Sequence, residues 1–149
     1  MSVRVQEGDF DPGAELERLG NASSPDICVG GVASFVGYVR GGEVSAMTLE
    51  HYPAMTEKAL ARIETEARAR WQLADVSVIH RVGRLLPGER IVFVGVAGRH
   101  RREAFAACEF IMDYLKTQAP FWKKEETGEG ERWVEARDSD DAAAARWGR

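Results

Sequence analysis

The chain has 149 residues, of which 44% are hydrophobic and 30% charged, with a formal net charge of −4; this is the composition of one ordinary globular domain and excludes a disordered or fibrous chain. A chain of that length buries roughly 68–70% of its unfolded surface, so it needs no disulfide or metal staple to fold. The acidic balance argues against bulk binding to nucleic acid or to anionic membranes, so any anion site has to be a local cluster of cations.

The N-terminal MSVRVQEGDF lacks the apolar core of a signal peptide, and the longest weakly polar run, ICVGGVASFVGYV at 27–39, is short and interrupted by glycine. A cytoplasmic location is therefore expected. Residues 2–6 alternate like a short strand, and Asp11-Pro12 then supplies an N-cap and a proline at the first helical position of a helix ending at Gly20. The segment from Ile27 to Arg40, rich in Val, Phe and Gly, reads as a long bulged strand, joined through Gly41-Gly42 to a strand from Val44 to His51 as a hairpin. Pro53 opens a helix with Leu60, Ile63, Ala67 and Trp71 along one face.

Two continuous apolar strands follow, Val76–Val82 and Arg90–Ala97, separated by the turn-forming GRLLPGE and expected at the centre of a sheet. A helix from about His100 to Thr117 places Phe105, Cys108, Met112 and Leu115 on one stripe, and Pro120 marks its end. FWKKEE and RWVEAR flank a TGEG turn as a last hairpin, and the tail DSDDAAAARWGR reads as a short docking helix or a frayed end. Together these elements predict a single α+β domain spanning residues 1–149, with two major helices on one sheet. Cys28 and Cys108 stand alone and read as small core residues. With His51, His80 and His100 widely separated, no structural zinc is expected.

Three of the chain's four lysines, Lys116, Lys123 and Lys124, fall within LKTQAPFWKKEE at 115–126, in a sequence whose other positive charge is nearly all arginine. A lysine can lose its proton when desolvated or crowded by other cations, which an arginine does not do. The stretch thus reads either as solvated surface charge or as amines set for acid/base work beside the apolar Pro120, Phe121 and Trp122. Strand alternation puts Lys123 and Lys124 on opposite faces, so both cannot enter one site. Arg40 closes one strand, and Arg99, His100, Arg101 and Arg102 lie where a helix N-terminus presents unpaired amides, which makes either a solvated turn or an anion site. In LEHYP at 49–53, alternation separates Glu50 and Tyr52 from Leu49 and His51, which favours a structural role. No GxSxG, GxxxxGK[ST] or GxGxxG occurs, so a serine hydrolase elbow and a P-loop drop out.

FVGYVR (35–40), LEHYPAM (49–55), HR (100–101), LKTQAPFWKKE (115–125) and RWVEAR (132–137), in this order, resemble the large catalytic subunit of molybdopterin synthase over nearly the whole chain. The resemblance implies an α/β hammerhead-like fold with a small additional antiparallel β-subdomain. It also implies a homodimer within a heterotetramer that includes two copies of a small ubiquitin-like sulfur-carrier subunit. That carrier's C-terminal Gly-Gly thiocarboxylate would deliver sulfur to cyclic pyranopterin monophosphate (precursor Z), forming the dithiolene of molybdopterin with no cofactor or metal in the enzyme. By motif, Lys116 and Lys123 match the family's active-site lysines. Arg40, His100 and Arg101 match its substrate pocket, and Arg137 an arginine given to the neighbouring subunit's site. The chain departs from the family in having only Gly41, Gly42 and Glu43 after Arg40, and in carrying Arg99 where a small residue commonly precedes His-Arg.

Overall fold

The computed structural model describes residues 3–119, 121–134 and 138–148. In chain order it contains β1 (Val3–Gln6), α1 (Pro12–Gly20), β2 (Gly31–Tyr38), β3 (Val44–His51), α2 (Pro53–Arg70) and β4 (Leu73–Arg81). It continues with β5 (Gly83–Leu85), β6 (Arg90–Gly98), α3 (Arg101–Gln118), β7 (Phe121–Thr127), β8 (Gly130–Val134) and α4 (Asp138–Ala145). The fold is α+β, with one sheet ordered β1-β4-β6-β2 and a second ordered β5-β3-β7-β8. Among the described residues, no helix is long and apolar enough to cross a membrane.

Local signals place several boundaries. Asp11 accepts a hydrogen bond from the Ala14 amide and Pro12 starts α1, while Pro53 starts α2. In the first sheet β1 runs parallel to β4, and β6 is antiparallel to both β4 and β2. Alternation then sorts the side chains: Val76 and Val78 of β4 and Val92, Val94 and Val96 of β6 face α2 and α3, burying Leu60, Ile63, Phe110 and Ile111. Ile79, Phe93 and Ala97 point the other way, onto Phe10 and Leu19 of the α1 side. Gly95 lies beneath α1, and a Cβ there would come within 2.5 Å of Leu19 Cδ1 and 2.8 Å of the Phe93 ring, so the helix sits this close only over a glycine. A smaller cluster of Val39, Leu49, Val82 and Leu85 underlies the second sheet.

The segment joining β2 and β3 is not a hairpin turn. β2 pairs with β6 in the first sheet, whereas β3 pairs with β5 and β7 in the second, so the Gly41-Gly42 link carries the chain from one sheet to the other. The first strand of that pair is shorter than its composition suggests, beginning at Gly31, with an irregularity at Gly37/Tyr38. Cys28 is exposed and only Cys108 is buried. Cys108 and Leu115 of the predicted α3 stripe are buried, together with Ala104, Ala107, Phe110, Ile111 and Tyr114, whereas Phe105 is 65% exposed because the buried face is centred away from it. The tail does dock: Trp147 rings contact Trp71 and Phe110, its indole N–H donates to Asp113, and Arg70 donates to the Trp147 and Gly148 carbonyls.

Candidate active site

Lys116 lies in the last turn of α3, where a cation is favoured by the negative end of the helix. Lys123 comes from the second sheet. In the β3–β7 register Phe121 faces His51, Lys123 faces Leu49 and Lys124 faces Thr48, so Phe121 and Lys123 share the inward face. Lys124, on the outward face, pairs with Glu131 at 3.5 Å and lies 5.6 Å from the Trp133 ring centre, beside an edge-on Tyr52–Trp122 contact. The separation of the two adjacent lysines expected from alternation is thus present.

Beneath the inward face lies His80, only 4% exposed at the end of β4. Its Nδ1 is 2.9 Å from the Arg81 carbonyl oxygen, and its ring stacks on Phe121 with centres 3.8 Å apart and planes at 20°. His51 makes a longer stacked contact with the same phenyl, at 6.4 Å. Burial pushes the His80 imidazole down to about 3, partly opposed by the Arg81 carbonyl and reinforced by the positive charges of Lys123 and Lys116 and by His51. His80 therefore stays neutral at ordinary pH, and it feels both lysines at once. Sequence reasoning passed over it after excluding a metal role; the available signal was a lone polar ring inside the apolar run VSVIHRV.

The anion-binding candidates fall at two ends of the molecule. His80, Val92 and Gly37 form one row across the first sheet, and Arg40 follows at that end of β2. His100 and Arg101 lie at the other end, beyond the Gly31–Gly98 pair, where α3 begins. At about 1.5 Å per residue, α3 separates Arg101 from Lys116 by roughly 22 Å. One chain therefore does not gather these residues into a single pocket, because helix and strand run in opposite directions between its two ends. Arg137 lies outside the described residues.

Arg40, Arg99, Arg101 and Arg102 are exposed and hold no carboxylate among the described residues, whereas Arg18, Arg68, Arg84 and Arg146 each do. Cations left without carboxylates at element ends remain open to an external anion. His100 caps α3 without a side-chain hydrogen bond, so the first-turn amides are not satisfied by that side chain. The loop before it is held by Gly30, whose N–H donates to Gly98 O at 2.9 Å. A Cβ on Gly30 would lie 1.9 Å from the Arg99 carbonyl oxygen. An open cleft of about 500 Å³ lies between the sheets near Glu7, Glu50 and His51. Its two carboxylates make it a poor place for an anionic substrate, although it borders the lysine site at Leu49 and His51, the register partners of Lys123 and Phe121.

The family model described as "MoaE protein" matches residues 5–118, a span that includes Lys116 and stops short of Lys123. The chain is 59% identical to the molybdopterin synthase catalytic subunit of Pseudomonas aeruginosa, over 99% of each. It is 62% identical to that of Ralstonia nicotianae, over 99% of this chain and 84% of the relative. Among solved structures it is similar to the molybdopterin biosynthesis MoaE protein from Burkholderia ambifaria, with 59% identity, a TM-score of 0.84, and 99% and 98% of the two chains covered.

Proposed function

The chain belongs to the MoaE protein family, that of molybdopterin synthase catalytic subunits, which act in molybdenum cofactor biosynthesis, and on that premise we propose that it is a sulfurtransferase. Its reaction moves sulfur from the C-terminal thiocarboxylate of a small ubiquitin-like carrier subunit to precursor Z. The thiocarboxylate sulfur attacks an electrophilic pterin carbon that bears oxygen, and the carbon–oxygen bond there breaks with its oxygen leaving protonated; water then cleaves the carbonyl–sulfur bond, leaving sulfur on the pterin and a carboxylate on the carrier. Two such transfers build the dithiolene. The relatives' description as a catalytic subunit presupposes a second subunit, which is consistent with a carrier partner.

The observation that carries this reading is that Lys123 shares the face of β7 on which Phe121 stacks on buried His80, that Lys116 in the last turn of α3 also bears on that imidazole by its charge, and that Lys124 is engaged on the opposite face. In this reading the two ammonium groups stabilise the anion that forms at the thiocarboxylate carbonyl and shuttle the protons of hydrolysis. Arg40 binds the anionic substrate at the same end of the sheet. His100 and Arg101, roughly 22 Å along α3 from Lys116, reach a lysine site only if a second copy of the chain supplies them. That supports a homodimer, with two carriers a heterotetramer, in which Arg137 also serves the neighbouring site. The chain acts as one domain over residues 1–149, in the cytoplasm, and the reaction as drawn uses no cofactor.

The test is conversion of precursor Z to dithiolene product by the purified chain and a thiocarboxylated carrier, comparing wild type with Lys123→Arg. Loss of about a hundredfold or more in the variant is expected, within the usual range for a lost acid/base group. Equal turnover by both proteins would reduce Lys123 to a fixed charge. No product from either, with carrier still bound, would make the chain a non-catalytic adaptor.

A further inference from the structure

Lys116 and Lys123 stand on parts of the fold that share no strand pairing. α3 packs on the first sheet, through β6 and β2, and β7 belongs to the second. The gap between the two amines is therefore set by how the second sheet rests on the first. Phe121, on the same face as Lys123 in β7, packs against both the core under α3 and the cluster beneath the second sheet. Its ring meets the first sheet at His80.

We propose that His80 is a positioning residue of the lysine site: held in β4 and stacked on Phe121, it fixes the strand from which Lys123 projects relative to the helix that carries Lys116. This rests on the reading of the two lysines as the reacting amines. The carbonyl of Arg81 can only accept, so the hydrogen of the 2.9 Å contact belongs to Nδ1 and the lone pair of the neutral ring to Nε2. Bond and burial hold the ring, and its flat face lies against the phenyl with centres 3.8 Å apart. A leucine here would fill the volume with neither the donor nor the flat face. A phenylalanine would supply the face alone, and an asparagine the donor alone.

The groups facing His80 are Lys123 from β7, Lys116 from α3, His51 from β3 and the Arg81 carbonyl of its own strand. A charged side chain at this buried position would add a cation whose charge Lys123, half-buried, and Lys116, exposed, both oppose. A neutral ring gives rigidity without that repulsion. Since a displacement of about 1 Å in a reacting group costs up to about a hundredfold in rate, a loosened Phe121 contact is read directly in turnover.

The experiment uses the intact chain with thiocarboxylated carrier and precursor Z, comparing His80→Asn, His80→Phe and Phe121→Leu. His80→Asn and Phe121→Leu are expected to lower kcat by about ten- to a hundredfold with KM changed by less than about twofold, and His80→Phe to keep kcat within about fivefold. The double variant His80→Asn with Phe121→Leu should be no slower than the worse single one, because both break the same contact. Wild-type kcat in His80→Asn and Phe121→Leu overturns the proposal, as does a loss confined to KM. If His80→Asn does not fold, Phe121→Leu, at a half-buried position, decides alone. Lys123→Arg is run alongside: full activity there defeats the lysine reading itself, whereas its loss with active His80→Asn and Phe121→Leu defeats only the positioning role.

Discussion

Lowering the pH from 7.5 to 5 should destabilise this protein partly through His80, and the size of that share follows from its burial. The folded imidazole resists protonation down to about pH 3, while in the unfolded chain it titrates near ~6.5. The folded-state value is depressed, so below about 6.5 the unfolded chain takes up a proton that the folded one refuses, and stability falls as pH falls. At ~1.4 kcal/mol per pH unit, the loss reaches about 2 kcal/mol at pH 5 and goes on growing toward pH 3. Urea unfolding of wild type and His80→Phe at pH 7.5 and pH 5 isolates the contribution, since every other titrating group is common to both. The wild type should lose about 2 kcal/mol more than the variant over that interval. Identical losses in the two proteins would mean that the imidazole is hydrated or accepts a proton in place, and would refute the burial argument.

Gly95→Ala should lower the melting temperature. Leu19 and Phe93, which the new methyl meets, are both fully buried, so an overpacking cost of ~1–3 kcal/mol, less the ~0.5–1 kcal/mol that alanine regains over glycine in a strand, leaves a net loss centred on about 1 kcal/mol. A thermal melt should show a fall of roughly 3 °C, and a melting point at or above that of wild type would show that Leu19 swings aside freely. Lys124→Ala removes only an outward ion pair and a ring contact, so synthase turnover should stay within about twofold of wild type; a tenfold loss would mean that the face turned away from His80 also takes part.

What could be read from the sequence was what short-range chemistry dictates. Asp11-Pro12 and Pro53 start helices because a side-chain acceptor and a fixed φ act within a few residues, and TGEG closes a hairpin for the same local reason. The partners of β2 and β3 were not readable, because a strand's pairing is decided by which distant strand completes its buried face. Val32 to Val36 match Ala97 to Phe93 in β6, whereas Met47 and Leu49 belong to the cluster with Leu85 and Val82. The site divides in the same way. Type and spacing left Lys116, Lys123 and the arginines open between solvated surface and reacting groups, and only the resemblance proposed roles for them; which ends of the fold they occupy is a fact of packing direction. His80 gave little sign of itself, since its chemistry comes chiefly from burial and from its contact with Phe121, which is distant in sequence and adjacent only after folding.

Gly30 is a surface residue by exposure, yet its tolerance to substitution should be that of the deepest core. The atom in its way is the main-chain oxygen of Arg99, which no rotamer change can move. Any side chain at position 30 would therefore displace the segment that sets Arg99, His100 and the first turn of α3, leaving the packed interior untouched. Mutational tolerance mapped by function and by stability should part company at this position: catalysis lost, fold retained, at a site that solvent exposure alone would mark as free to vary.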